Sequence, residues 1–187
     1  MTDQDAVPPA SDPTTGVGSL ECGEPLVDLA EVPALRVRPA AGNPPIRLRL
    51  TVVDGIVAAQ ALLPPQVRLL VVDGYRSATV EAGHVEHGRP DATSHRTGGE
   101  ADLTLCDQGG RELWLGSEVY AVRHRAAGAR LTDDGHLRRT LLRAALTTVG
   151  MVGSPTAWWH WSYGNRFWAH AIRAGIAPYE EIGAAEP

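Results

Sequence analysis

Residues 100–107 read EADLTLCD, and no other run constrains the chain as much. Ala101, Leu103 and Leu105 alternate with Asp102 and Thr104, the period-two pattern of a strand with one face in a core. Asp102 then lies on the face opposite the leucines, inside an otherwise apolar strand. A carboxylate there needs a metal, an arginine or a set of backbone donors. Upstream, TSHRTGGEADLTL sets Gly98-Gly99 between His95 and Asp102. A glycine pair lets the chain turn sharply and return a loop side chain to the start of the strand. Spacing alone leaves both a metal-ligand pair and a structural pair open.

The rest of the chain supplies the partners of this strand. TVVDGIVAAQALLPP (51–65) has helical spacing and ends at Pro64-Pro65. VRLLVVDGYR (67–76) reads as a buried strand closed by Asp73-Gly74. HLRRTLLRAALTTVG (136–150) predicts an amphipathic helix burying Leu137, Leu141, Ala144, Ala145 and Val149, with Gly150 as its C-cap. TAWWHWSY (156–163) predicts the last strand, with Trp158 and His160 on one face and Trp159 and Trp161 on the other. Interleaved helices and strands with late hairpin-like spacings favour an α+β fold with a mixed sheet over a doubly wound one. The chain has 187 residues and 43% apolar content, enough for one domain with a core. Residues 1–25, rich in Pro, Gly, Ser, Thr and Asp, read as a disordered or loosely packed tail, so the folded domain is expected over 26–187.

Charge and cysteine usage exclude several classes. The net charge of −5, with no basic run carrying interleaved aromatics, argues against a nucleic-acid partner. No stretch approaches the length of a membrane span, and the N-terminus lacks the features of a secretory signal. Cys22 and Cys106 read as unpaired thiols in a reducing, cytoplasmic compartment. The spacing says nothing about oligomeric state.

Of the seven histidines, His84, His87 and His136 sit in polar or helix-opening contexts, and His170 reads as structural. His160 follows two tryptophans in a strand. It is either a core histidine bonded to a carbonyl or a third ligand beside His95 and Asp102. Two His and one Asp form an open tetrahedral zinc site with one position left for water or substrate. Arg76 ends a strand after a glycine turn, as a surface cation or as one placed to stabilise oxyanion charge.

Taken together, DGYR, SHRTGGEADLTL and AWWHWSYGNRFWA resemble the zinc D-alanyl-D-alanine dipeptidases, the type known from vancomycin resistance. The resemblance runs from about residue 30 to 175. VAAQALLPPQVRLLVVDGYR and DLTLCDQGGRELWLG are similar to actinobacterial members. The resemblance implies a small α+β domain of the DD-peptidase and hedgehog type, with a central mixed or antiparallel sheet flanked by helices. It implies His95, Asp102 and His160 as Zn2+ ligands and Arg76 as the cation on the tetrahedral intermediate. It also makes Thr93, Tyr75 and Trp158 the expected substrate-binding residues, and D-Ala-D-Ala or a related small dipeptide or amide the substrate.

Position 157 departs from the pattern. The family motif ends Glu-x-x-His, and that Glu shuttles the proton from the zinc-bound water to the leaving amine. Here the position holds Ala157, which cannot act as a general base. Three accounts follow: an edited chain disabled to trap substrate, a natural homologue that binds without cleaving, or proton transfer by another group. The first is preferred, because the rest of the motif is intact. Other departures concern the substrate. Thr93 replaces a serine, Ser77 a proline, and Glu100 brings a charge, expected to face solvent, where small uncharged residues are usual. SEVYAVRHRAAG (117–128) replaces a stretch with an acidic residue that holds the substrate amine, and Arg123, His124 and Arg125 make it basic. A tailoring amide hydrolase of secondary metabolism is therefore a further alternative, as is a zinc-containing binding protein.

Overall fold

Every residue of strand β6 (Glu100–Cys106) is buried, which places it at the centre of the protein. The computed structural model describes residues 14–39, 44–86, 94–120 and 132–183. In it β6 is the middle of a five-stranded mixed sheet of order β3-β5-β6-β8-β7. β5 (Arg68–Asp73) and β8 (His160–Ser162) flank β6, both antiparallel to it. β3 (Arg36–Val37) pairs parallel to β5 at one edge, and β7 (Val152–Gly153) closes a hairpin with β8 at the other. This is the expected α+β architecture with a mixed sheet.

The alternation read from β6 sorts its two faces. Ala101, Leu103 and Leu105 join Leu69, Val71 and Trp161 in the main core. Helix α1 (Leu50–Ala61) covers that face with Val52, Val53, Ile56 and Ala59, and helix α3 (Asp133–Thr148) with Leu142, Ala145 and Leu146. On the opposite face Leu70, Val72 and Cys106 form a smaller cluster, next to the polar residues of β6. Helix α2 (Ala78–Glu86) follows β5 and carries His84, for which the sequence gave only a polar context and no helix. A short helix α4 (Arg166–Ala171), capped by the Asn165 side chain, ends the fold. No helix among the described residues is long and apolar enough to cross a membrane.

Four expectations change. First, α3 starts earlier, at Asp133, with the Thr132 hydroxyl accepting from the Gly135 N–H at 3.2 Å. Its buried stripe is Leu142, Ala145 and Leu146, and Leu137 is exposed. Leu142, Ala145, Leu146 and half-buried Val149 form a full i, i+3, i+4, i+7 set, and that set faces the sheet. Second, the strand expected over 156–163 is confined to His160–Ser162. Residues 156–159 form a turn in which the His160 N–H donates to the Ala157 carbonyl at 2.9 Å. Pro155, lacking an N–H, cannot extend the ladder.

Third, Glu100 does not face solvent. It is 1% exposed and accepts from the Thr97 hydroxyl at 2.8 Å and the Asn165 amide at 2.6 Å. Its even position on β6 puts it on the polar face, where these donors replace water. Fourth, the described part of the first 25 residues is tied down. β1 (Gly18–Ser19) pairs parallel with β9 (Ile176–Ala177), and β2 (Leu26–Asp28) pairs antiparallel with β4 (Arg47–Arg49). Glu21 makes a two-point ion pair with Arg49, at 2.9 Å for each nitrogen. Glu24 accepts from the Thr51 N–H at the start of α1 and from the Tyr179 hydroxyl. Low hydrophobicity missed this strap because polar contacts hold it.

Candidate metal centre

Register builds the site. Asp102 pairs with His160 across β6–β8 and with Asp73 across β5–β6. An irregularity between Val71 and Asp73 sets the second pairing. This β-bulge at Val72 turns Asp73 to the polar face. His95 comes from the loop before β6, and the glycine pair does what the sequence suggested. Gly98 has φ +75°, and a Cβ on Gly99 would lie 2.2 Å from the Tyr163 carbonyl oxygen. The folded-back loop lets the His95 carbonyl accept from the Arg76 N–H at 3.0 Å.

Three candidate ligand atoms converge. His160 Nδ1 lies 3.0 Å from Asp102 Oδ1, His95 Nε2 lies 3.4 Å from the same oxygen, and the two nitrogens are 3.2 Å apart. All three residues are buried. His95 Nδ1 lies 2.8 Å from the Gly74 carbonyl, which only accepts, so the Nδ1–H donates there. Nε2 is then the ring nitrogen turned to the cluster, donating to Asp102 when the imidazole is protonated and free to bind a cation when it is neutral. A tetrahedral zinc site with bonds of about 2.0–2.1 Å has ligand–ligand edges of about 3.3–3.4 Å, close to the separations found. The donor set therefore fits a divalent cation.

Electrostatics follow from the packing. Burial alone would raise the Asp102 carboxyl, but the His95 charge and hydrogen bonds from both imidazoles hold it far below the usual carboxylate range. Burial alone would lower His95, and the Asp102 charge overrides it and raises the imidazole above its ordinary value. Arg76, 5% exposed, donates from Nε and Nη2 to Asp73 Oδ2 at 3.1 and 2.8 Å and from Nη1 to Glu81 at 3.1 Å. Its Nη2 stands 3.9 Å from Asp102 Oδ2. Burial opposes the charge, and the Asp73 carboxylate and its neighbours hold it on.

The structure thus brings Arg76, His95, Asp102 and His160 together. Ala157 is buried beside them in sequence, its carbonyl closing the turn onto His160. Of the expected substrate-binding residues, Trp158 and Tyr75 are described. Trp158 is half-buried, donates to Ser117 at 2.9 Å and stacks under Arg139. Because 156–159 is a turn, Trp158 does not share the His160 face as strand alternation had suggested. Trp159, 1% exposed, is the tryptophan that meets Tyr120, edge to face with ring centroids 5.9 Å apart. Tyr75 lines a small recess with Asp73 and Arg76 as well as a cavity of about 630 Å³, with Arg47 over its ring. Thr93, His87 and the basic segment 123–125 lie outside the described residues.

Sequence reasoning missed Asp73, Glu81 and Tyr120. Asp73 looked like a turn residue because it precedes a glycine, and Glu81 had no visible partner. Tyr120 carries no sequence signal at all. It has φ +65°, a left-handed conformation costing of order 1–3 kcal/mol in a non-glycine residue. Its hydroxyl donates to Asp73 Oδ2 at 3.5 Å. Burial, and then the two carboxylates, push the phenol well above its ordinary pKa.

A buried His–Asp–His group on the polar face of a small α+β sheet is the donor set of a metal-dependent hydrolase. The family model for D-Ala-D-Ala dipeptidases, peptidase family M15, matches residues 81–174. The chain belongs to that family. The match contains His95, Asp102 and His160, whereas Arg76 and Asp73 lie just upstream of it. The chain is also similar to a D-alanyl-D-alanine dipeptidase of Synechocystis sp. (strain ATCC 27184 / PCC 6803 / Kazusa). The two are 24% identical over 211 residues, covering 80% of this chain and 85% of that protein.

Proposed function

We propose that the protein is a zinc metallopeptidase scaffold for D-Ala-D-Ala or a related small dipeptide or amide, with its general base replaced by Ala157. The observation that carries this reading is the convergence of His95 Nε2, Asp102 Oδ1 and His160 Nδ1. These three would hold Zn2+, which when bound lowers the pKa of water and polarises a carbonyl. Asp73 and Glu81 orient Arg76, whose guanidinium would stabilise charge developing on the substrate oxygen. Trp159 and Tyr120 meet edge to face, with the Tyr120 hydroxyl 3.5 Å from the Asp73 carboxylate that holds Arg76. Ala157 offers no atom that can take a proton, and loss of such a group costs on the order of 10²–10⁴-fold in rate.

The proposed functional unit is residues 26–187, with 14–25 as a strap across it. The free thiols Cys22 and Cys106 support a reducing, cytoplasmic setting. Restoring a carboxylate tests the assignment. Ala157→Glu protein loaded with zinc is expected to release D-alanine from D-Ala-D-Ala at least 10²-fold faster than the parent chain. Tight dipeptide binding with no gain in rate would support a binding protein instead. Activity only on amine-blocked amides would support a tailoring hydrolase.

A further inference from the structure

Glu100 is buried on the polar face of β6, two residues before Asp102. The β6–β8 register pairs it with Ser162, as it pairs Asp102 with His160. Its two oxygens accept from neutral donors, the Thr97 hydroxyl at 2.8 Å and the Asn165 amide at 2.6 Å. A carboxylate offers about four acceptor positions, so half of its capacity is unused. A buried charge also calls for a countercharge. The chain has no lysine, and no arginine among the described residues pairs with Glu100. Arg166, on the same cavity, donates instead to the Val17 and Thr14 carbonyls, at 2.9 Å each.

That cavity, of about 580 Å³, is lined by Ser94, Thr97, Glu100, His160, Ser162 and Asn165 among others. Its size is that of a small-ligand site. His160 belongs to both the cavity and the candidate metal group. Its Nδ1 faces Asp102, and its Nε2 lies 3.4 Å from the Ser162 hydroxyl. The donors to Glu100 are themselves fixed. Thr97 Oγ1 accepts from the Gly99 N–H at 3.0 Å, and Asn165 Oδ1 from the Trp168 N–H at 2.8 Å. The carboxylate is therefore oriented before any ligand arrives. A strand rises about 3.4 Å per residue, so Glu100 and Asp102 stand about 7 Å apart along β6. In a dipeptide a single carbon separates the ammonium from the peptide carbonyl. The span lets that carbonyl lie at the His–Asp–His group while the ammonium meets Glu100.

We propose that Glu100 is a specificity-determining residue, whose carboxylate receives the free ammonium group of a small dipeptide in this cavity. The inference rests on the dipeptide reading above and adds which end of the substrate is read, and by what. It gives β6 the task that the resemblance assigns to an acidic residue within 117–128, where this chain is basic.

The test measures binding to the zinc-loaded full chain by calorimetry. The ligands are D-Ala-D-Ala and D-lactoyl-D-alanine, which has a hydroxyl in place of the ammonium. The parent chain is expected to bind D-Ala-D-Ala about 10–100-fold more tightly, the worth of a hydrogen-bonded charge. Glu100→Gln keeps the shape and is expected to lose that preference by weakening D-Ala-D-Ala alone. Glu180→Gln, which removes an exposed carboxylate from the same cavity, is expected to keep the parent preference. Equal binding of the two ligands by the parent would overturn the inference alone. So would an equal loss of both in Glu100→Gln, or the same change in Glu180→Gln. A crystal structure of the parent with D-Ala-D-Ala decides the matter without a substitution. The ammonium nitrogen is expected about 2.7–2.9 Å from a Glu100 oxygen, and a nitrogen placed away from Glu100 would overturn the inference. A parent chain that binds neither ligand would overturn this inference and the dipeptide reading together.

Discussion

Arg76 shows how one side chain can be structural before it is chemical. Its guanidinium sits between Asp73 and Glu81, with side-chain exposures of 6%, 10% and 13%. Removing the cation leaves two buried carboxylates without their partner. Arg76→Met is therefore expected to destabilise the metal-free protein by about 3–5 kcal/mol in urea unfolding. Arg111→Met, which breaks the exposed pair with Asp107, is expected to cost no more than about 0.5 kcal/mol. Similar losses in the two variants would show that the Arg76 network carries no special weight. The arginine was legible in the sequence because it follows a glycine turn at a strand end. Its carboxylate partners were not, because one depends on a bulge in β5 and the other on the direction of α2. A bulge leaves no mark in a run such as LLVVD, where every residue is a good strand former except the last.

Among the elements, the strap at residues 14–25 is the part most sensitive to acid. Burial raises Glu21 and Glu24, but other contacts outweigh it and hold both below the ordinary glutamate value. For Glu21 these are backbone N–H groups of Glu180 and Gly23 and the charge of Arg49. For Glu24 they are Thr51, Tyr179 and Arg49. A carboxyl whose folded pKa is depressed contributes stability above its unfolded pKa and loses it as pH falls through the folded value. The strap should therefore hold at neutral pH and loosen below about pH 4.3. Amide resonances of residues 17–23 are expected to shift together in that range while those of 100–106 stay fixed. A simultaneous change in both sets would place the strap within the cooperative core. Periodicity located β5, β6, α1 and α3, because each buries a continuous apolar face. It overextended the last strand, since TAWWHWSY alternates well enough but contains a turn closed by the Ala157 carbonyl. It missed the strap because polar contacts carry no period.

Across the whole molecule, the site joins segments far apart in the chain. The end of β5, the loop before β6, Tyr120 and the start of β8 meet on one face of one sheet. Strand order was not readable in advance, since short strands such as Arg36–Val37 give no signal and enter the sheet through pairing alone. What was readable was a requirement: a carboxylate in an apolar strand with a histidine returned to it by two glycines. The fold meets that requirement with a second histidine brought across the β6–β8 register. The most direct test is anomalous diffraction at the zinc edge from crystals grown with Zn2+. The account predicts a single strong peak about 2.0–2.1 Å from each of His95 Nε2, Asp102 Oδ1 and His160 Nδ1. A peak elsewhere, or none at these three atoms, would contradict it.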